Sequence, residues 1–134
     1  MTTIFIDTNA FFKAKEIFVR LIKERNQLVT STIVIYEFIK ITEELIFNER
    51  NEARKKLYIR LKQRFPILLK ELEISVLSHL LKNNDIIDAY NVMSEKDIDI
   101  GDALIYILMK KKGIKKILTF DNDWTRLDVE IINH

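Results

Sequence analysis

The apolar positions change period along the chain. Thr3, Ile4, Phe5 and Ile6 form a short β-branched and aromatic run that stops at Asp7. That pattern predicts a buried strand over 3–6. Phe11, Phe12, Ile17, Phe18, Leu21 and Ile22 follow, mostly three or four apart from Ala14 on, which predicts an amphipathic helix over 10–25. A second strand is expected over 28–31. Ser31 or Thr32 can cap a helix running to about Phe47. A more polar helix over 49–64 should end at Pro66, which has no N–H to donate. A strand over 72–75 and a helix over 77–93 come next. Six consecutive apolar residues, Leu104 to Met109, lie in a helix expected from Ile100 or Gly101 to Lys112, with Gly113 at the left-handed cap. Strands over 116–120 and 129–132 complete the chain, the last at an edge. Strands alternating with helices predict an α/β fold with a mainly parallel sheet. Ligands of such folds bind at the carboxyl ends of the strands.

Composition narrows the chemistry. The 134 residues suit one domain over 1–134, and 48% hydrophobic with 31% charged is a globular balance. Two glycines and one proline are too few turn residues for an all-β fold. Cysteine is absent, which excludes disulfides, zinc–thiolate sites and cysteine nucleophiles. The only histidines are His79, read as structural, and His134, so a serine-hydrolase triad or a multi-histidine metal site is improbable. No apolar run approaches the ~20 residues of a membrane span. The first ten residues, MTTIFIDTNA, lack the basic region of a signal peptide. A cytoplasmic protein is expected.

The acids stand in telling places. Asp7 follows one predicted strand, and Asp121, with Asp123 beyond it, follows another. Each alone fits a turn or a helix cap. Parallel strands, however, set such ends side by side. Glu37 sits mid-helix, where three of its four neighbours three and four positions away, Ile33, Val34 and Ile41, are apolar. A carboxylate there is costly unless it is paired or metal-bound; pairing with a lysine or arginine is the structural alternative. Asp102 opens the apolar helix, where the helix dipole would favour it, with Asp99 available as the cap. Clustered carboxylates need protons or a cation. Hard Mg²⁺ or Mn²⁺ suits all-oxygen ligands and lowers the pKa of bound water for phosphodiester cleavage.

IDTNAF, Glu37 in its apolar helix, GDALI and LTFDNDW occur in that order over essentially the whole chain, and together they resemble a PIN domain. The resemblance implies a three-layer α/β/α fold around a mainly parallel central sheet and an Mg²⁺- or Mn²⁺-dependent endoribonuclease. Asp7, Glu37, Asp102 and Asp121 match the family's acidic quartet. Asn9 matches its polar partner, and Asp123 a variable fifth acid. A stand-alone domain of this length resembles VapC-type toxins, which implies an RNA substrate, an antitoxin protein and a homodimer. Trp124 stands where phenylalanine is common, and residues 48–72 follow no family motif.

The net charge of +2 says little by itself, but setting the quartet aside leaves 16 acids against 22 bases. That excess suits a phosphate-binding surface. Basic residues crowd two stretches, Arg50 to Arg64 and Lys110 to Lys116. The second also fits dipole complementation at a helix C-terminus. Tyr36, Tyr58, Tyr90 and Tyr106 could stack on bases, although apolar neighbours favour core or interface burial for most. Three other functions compete: a housekeeping RNA-processing nuclease of the same fold, a non-catalytic RNA- or protein-binding domain, and a receiver-like signalling domain. The last lacks an acidic pair at the first strand and leaves Glu37 unexplained.

Overall fold

The computed structural model describes residues 2–13, 15–78 and 81–133, and only the backbone of Lys15. His79 and His134 lie outside these residues. Five parallel strands make one sheet in the order β3-β2-β1-β4-β5. The strands are β1 (Thr3–Ile6), β2 (Gln27–Ser31), β3 (Ser75–Leu77), β4 (Lys116–Leu118) and β5 (Glu130–Ile132). β1 is central, and Ile4, Phe5 and Ile6 are completely buried, as an unbroken apolar run with a neighbour on each side requires.

Helices α1 (Ala10–Lys13) and α2 (Lys15–Lys23) link β1 to β2; α3 (Thr32–Asn48) and α4 (Glu52–Glu71) link β2 to β3; α5 (Asn83–Lys96) and α6 (Ile100–Lys112) return the chain to β4. Right-handed crossovers put the first four helices on one face and the last two on the other, because the strand order reverses at β1. The result is three layers. The reversal opens a crevice beyond the carboxyl ends of β1 and β4, the ends that carry Asp7 and Asp121.

Local signals set most boundaries. Ser31 caps α3 by accepting the Val34 N–H at 3.4 Å. Asp99 caps α6, and Gly113 ends it at φ 68°. The stretch expected as one helix over 10–25 is described as α1 and α2, on either side of Ala14, which is outside the described residues.

Three expectations are corrected. Pro66 does not end its helix: α4 continues to Glu71. Phe65 is buried and stacks on Phe38 with ring centroids 3.8 Å apart, while Leu68, Leu69 and Leu72 pack on the core. This burial outweighs the ~3 kcal/mol that an interior proline costs. Residues 75–77 pair with β2, so the strand expected over 72–75 lies further along and the helix expected from 77 starts at Asn83. There the Asp85 carboxylate accepts the Lys82 N–H at 2.7 Å. Tyr36 and Tyr90 are exposed and lie outside the core of the chain, whereas Tyr106 is buried in it.

In the second basic stretch Lys111 pairs with Asp85 and Lys116 with Glu130, while Lys110 to Lys112 close the last turn of α6. The dipole explanation fits that stretch. Among the described residues, no helix is long and apolar enough to cross a membrane.

Candidate active site

The acids are drawn together by the ends of four elements. Asp7 follows β1, and its backbone N–H still bonds to the Leu118 carbonyl of β4 at 3.0 Å. Its carboxylate is buried and held on both oxygens. Oδ1 accepts the Thr8 N–H at 2.8 Å; Oδ2 accepts the Thr119 hydroxyl at 2.7 Å and the Trp124 indole N–H at 3.2 Å. Thr119 also accepts the Asp121 N–H at 3.1 Å and the Asn9 amide at 3.4 Å. One donor and two acceptor positions are thereby used, which is the full capacity of a hydroxyl. Asn9 completes the brace by accepting the Phe120 N–H at 3.0 Å. Asp121 accepts the Asp123 N–H at 2.9 Å and caps the 3-10 turn Asn122–Arg126.

Glu37 is half-buried on α3, and its Oε2 accepts the Thr8 hydroxyl at 3.1 Å. Its other oxygen lies against the first turn of α6, where a Cβ on Gly101 would sit 2.5 Å from Oε1. Asp102 is buried in that same turn. Carboxylate oxygens of Asp102, Asp121 and Asp123 lie within 4.8 Å of one another. Asp123 also faces Arg126 at 3.5 Å. Among the described residues, no lysine or arginine pairs with Asp7, Glu37, Asp102 or Asp121.

Electrostatics follows the geometry. Burial, foremost, pushes Asp102 up to about 8, and the charges of Asp7, Asp99, Asp121 and Glu37 add to it. Asp7 is raised by burial and by Asp121, against the pull of its hydrogen bonds. Glu37 is raised by burial, then by Asp7 and Asp99, with the Thr8 hydroxyl opposing. Capping does not account for Asp102, because Asp99 performs that task, accepting the N–H groups of Gly101 at 2.7 Å and Asp102 at 3.3 Å. The lysine or arginine partner considered for Glu37 is not found among the described residues. Hard-oxygen donors that lack a protein counter-charge suit a divalent cation.

A family model for the PIN domain matches residues 4–130. The chain belongs to the PIN-domain family. Solved structures resemble this PIN domain at low identity, which shows a shared fold. VapBC2 from Rickettsia felis, bound to a DNA fragment from their promoter, aligns with a TM-score of 0.66 and 14% identity, covering 98% of both chains. PAE2754 from Pyrobaculum aerophilum aligns at 0.63 and 16%, covering 97% of this chain and 89% of that one. FitAcB from Neisseria gonorrhoeae aligns at 0.60 and 16%, covering 97% and 96%. No curated protein matches the sequence.

Thr8, Gly101 and Thr119 also touch or adjoin the acids of this PIN domain, and none of them stands out as a site residue in the sequence. The signal for Thr119 is a lone polar residue inside the apolar run 117–120, and the structure buries it completely. Gly101 gives a test. Gly101→Ala should leave the fold intact, since alanine is the better helix former by ~1 kcal/mol. The added methyl would displace the Glu37 carboxylate, a flexible end that can move. Unchanged Mn²⁺ affinity in a folded Gly101→Ala protein, measured by calorimetry, would show that Glu37 stands outside the site.

Proposed function

We propose that this PIN domain is a metal-dependent endoribonuclease, the toxin of a toxin–antitoxin pair. The observation that carries the reading is the convergence of Asp7, Glu37, Asp102 and Asp121, with no lysine or arginine paired to them among the described residues. Asp7, Asp102 and Asp121 would hold the ion, Glu37 would complete the set, and Asp123 could join it. Thr119 and Asn9 keep Asp7 and the Asp121 turn in register. Bound there, Mg²⁺ or Mn²⁺ would offset the clustered charge, activate water and stabilise the phosphoryl oxygens. Water attack on the phosphodiester leaves a 5′-phosphate and a 3′-hydroxyl.

PIN domains are generally nucleases that use divalent metals, which supports the reading over a receiver-like or purely binding domain. The likeness to VapBC2 and FitAcB supports a toxin over a housekeeping nuclease. An antitoxin protein and a second copy of the chain are the partners this reading expects. A groove of about 670 Å³ between α2 and α4, lined by Phe18, Val19, Leu57, Leu61, Leu68 and Leu72, supports a protein partner; none of the site acids lines it. Ile86, Ile87 and Tyr90 expose further apolar surface on α5.

Incubation with single-stranded RNA tests the chemistry. Cleavage should require Mg²⁺ or Mn²⁺, stop in EDTA and leave 5′-phosphate ends. A 2′,3′-cyclic phosphate product would refute water attack, and full activity in excess EDTA would refute the metal.

A further inference from the structure

Trp124 is the only tryptophan in the chain, and it is fully buried. It lies in the 3-10 turn that Asp121 caps and that contains Asp123. A residue there needs only apolar bulk to fill the core, which phenylalanine would provide. Tryptophan adds one thing, an N–H donor, and that donor is aimed at Asp7 Oδ2 from 3.2 Å. Thr119 donates to the same oxygen at 2.7 Å.

A carboxylate offers about four lone-pair positions. Two donors fill Oδ2, while the Thr8 N–H takes one position on Oδ1. One position on Oδ1 is left. We infer that Trp124 is a positioning residue: its indole N–H fixes the orientation of the Asp7 carboxylate through Oδ2 and leaves the free position on Oδ1 as the one that would be offered to a divalent cation. The same bond ties the end of β1 to the turn bearing Asp121 and Asp123, so two acid-bearing segments share one brace. The inference rests on the metal-nuclease reading and goes beyond it, since that reading requires only that Asp7 be present.

The test separates the N–H from the bulk around it. Replacing Trp124 with β-(3-benzothienyl)alanine keeps the bicyclic shape and puts sulfur where the N–H stood. Trp124→Phe removes both bulk and donor. Mn²⁺ affinity is measured by calorimetry, and folding by circular dichroism and melting in EDTA. The benzothienyl protein should melt in EDTA within a few degrees of wild type. Its Mn²⁺ Kd should rise 10–100-fold, the usual cost of losing an outer-shell hydrogen bond to a ligand. Trp124→Phe should show the same Kd change with a lower melting temperature.

An unchanged Kd in the folded benzothienyl protein would overturn the inference and leave the nuclease reading standing. So would weak binding confined to Trp124→Phe, which would trace the effect to lost packing. Wild-type protein that binds no Mn²⁺ would overturn the nuclease reading and this inference with it. As the only tryptophan, Trp124 also reports on the site by its emission. Mn²⁺ should quench wild-type fluorescence with the calorimetric Kd.

Discussion

Replacing Asp102 with asparagine is expected to lower RNA cleavage more than 100-fold while stabilising the metal-free protein above pH 8. The activity loss should exceed the 10–100-fold typical of outer-shell changes, because the group removed would be a ligand itself. The gain in stability has a separate cause. Asp102 is buried among four other acids and titrates at about 8. Above that pH the wild-type protein carries its charge at full electrostatic cost, whereas asparagine imitates the protonated form at every pH. The helix loses little, because Asp99 supplies the cap. If Asp102 were a first-turn acid and nothing more, the same change would cost up to ~1 kcal/mol and leave cleavage intact. Melting curves at pH 6 and 9 in EDTA, beside one cleavage assay, separate the two outcomes.

The second large effect is a pH-dependent response to metal. Asp102 moves from an ordinary 3.8 to about 8 on folding. Between those values the folded chain binds more protons than the unfolded chain, so stability falls as pH rises. The contribution is complete below about pH 4 and gone above about pH 8. From pH 6 to 8 alone the metal-free protein should lose on the order of 2 kcal/mol, or roughly 6–10 °C in melting temperature. Asp7 and Glu37, also raised, act in the same direction. A cation reverses the trend by competing with those protons. At pH 8, Mn²⁺ at ~100 Kd should contribute about 2.7 kcal/mol. At pH 6 its apparent affinity should be roughly 50-fold weaker, and the same concentration should contribute under ~1 kcal/mol. Thermal shifts at both pH values check this; a shift equal at the two would exclude Asp102 from the binding site.

The sequence by itself determined the parts whose signals are local. The apolar run at β1, the Ser31 cap, the apolar length of α6 and the glycine after it appear in the structure at or near their expected positions, because each depends on neighbours a few residues away. The alternation of strands and helices was likewise enough to predict a parallel sheet. The acids were visible as misplaced charge: Glu37 among apolar residues, Asp7 and Asp121 at strand ends.

Tertiary structure decided what depends on partners distant in sequence. Pro66 sits inside α4 because Phe65 stacks on Phe38, 27 positions earlier, and no reading of residues 49–66 contains that contact. Residues 75–77 became a strand because β2 offered its edge. Thr119 acquired its role only when β4 settled beside β1, bringing its hydroxyl to Asp7 across 112 positions of sequence. The close approach of Glu37 to Gly101 needs α3 and α6 to meet at the same end of the sheet. Charge type is written in the residue, but the cost of keeping that charge depends on which other acids and how little water surround it. Folding alone sets that environment, and it is what raises Asp102 to about 8.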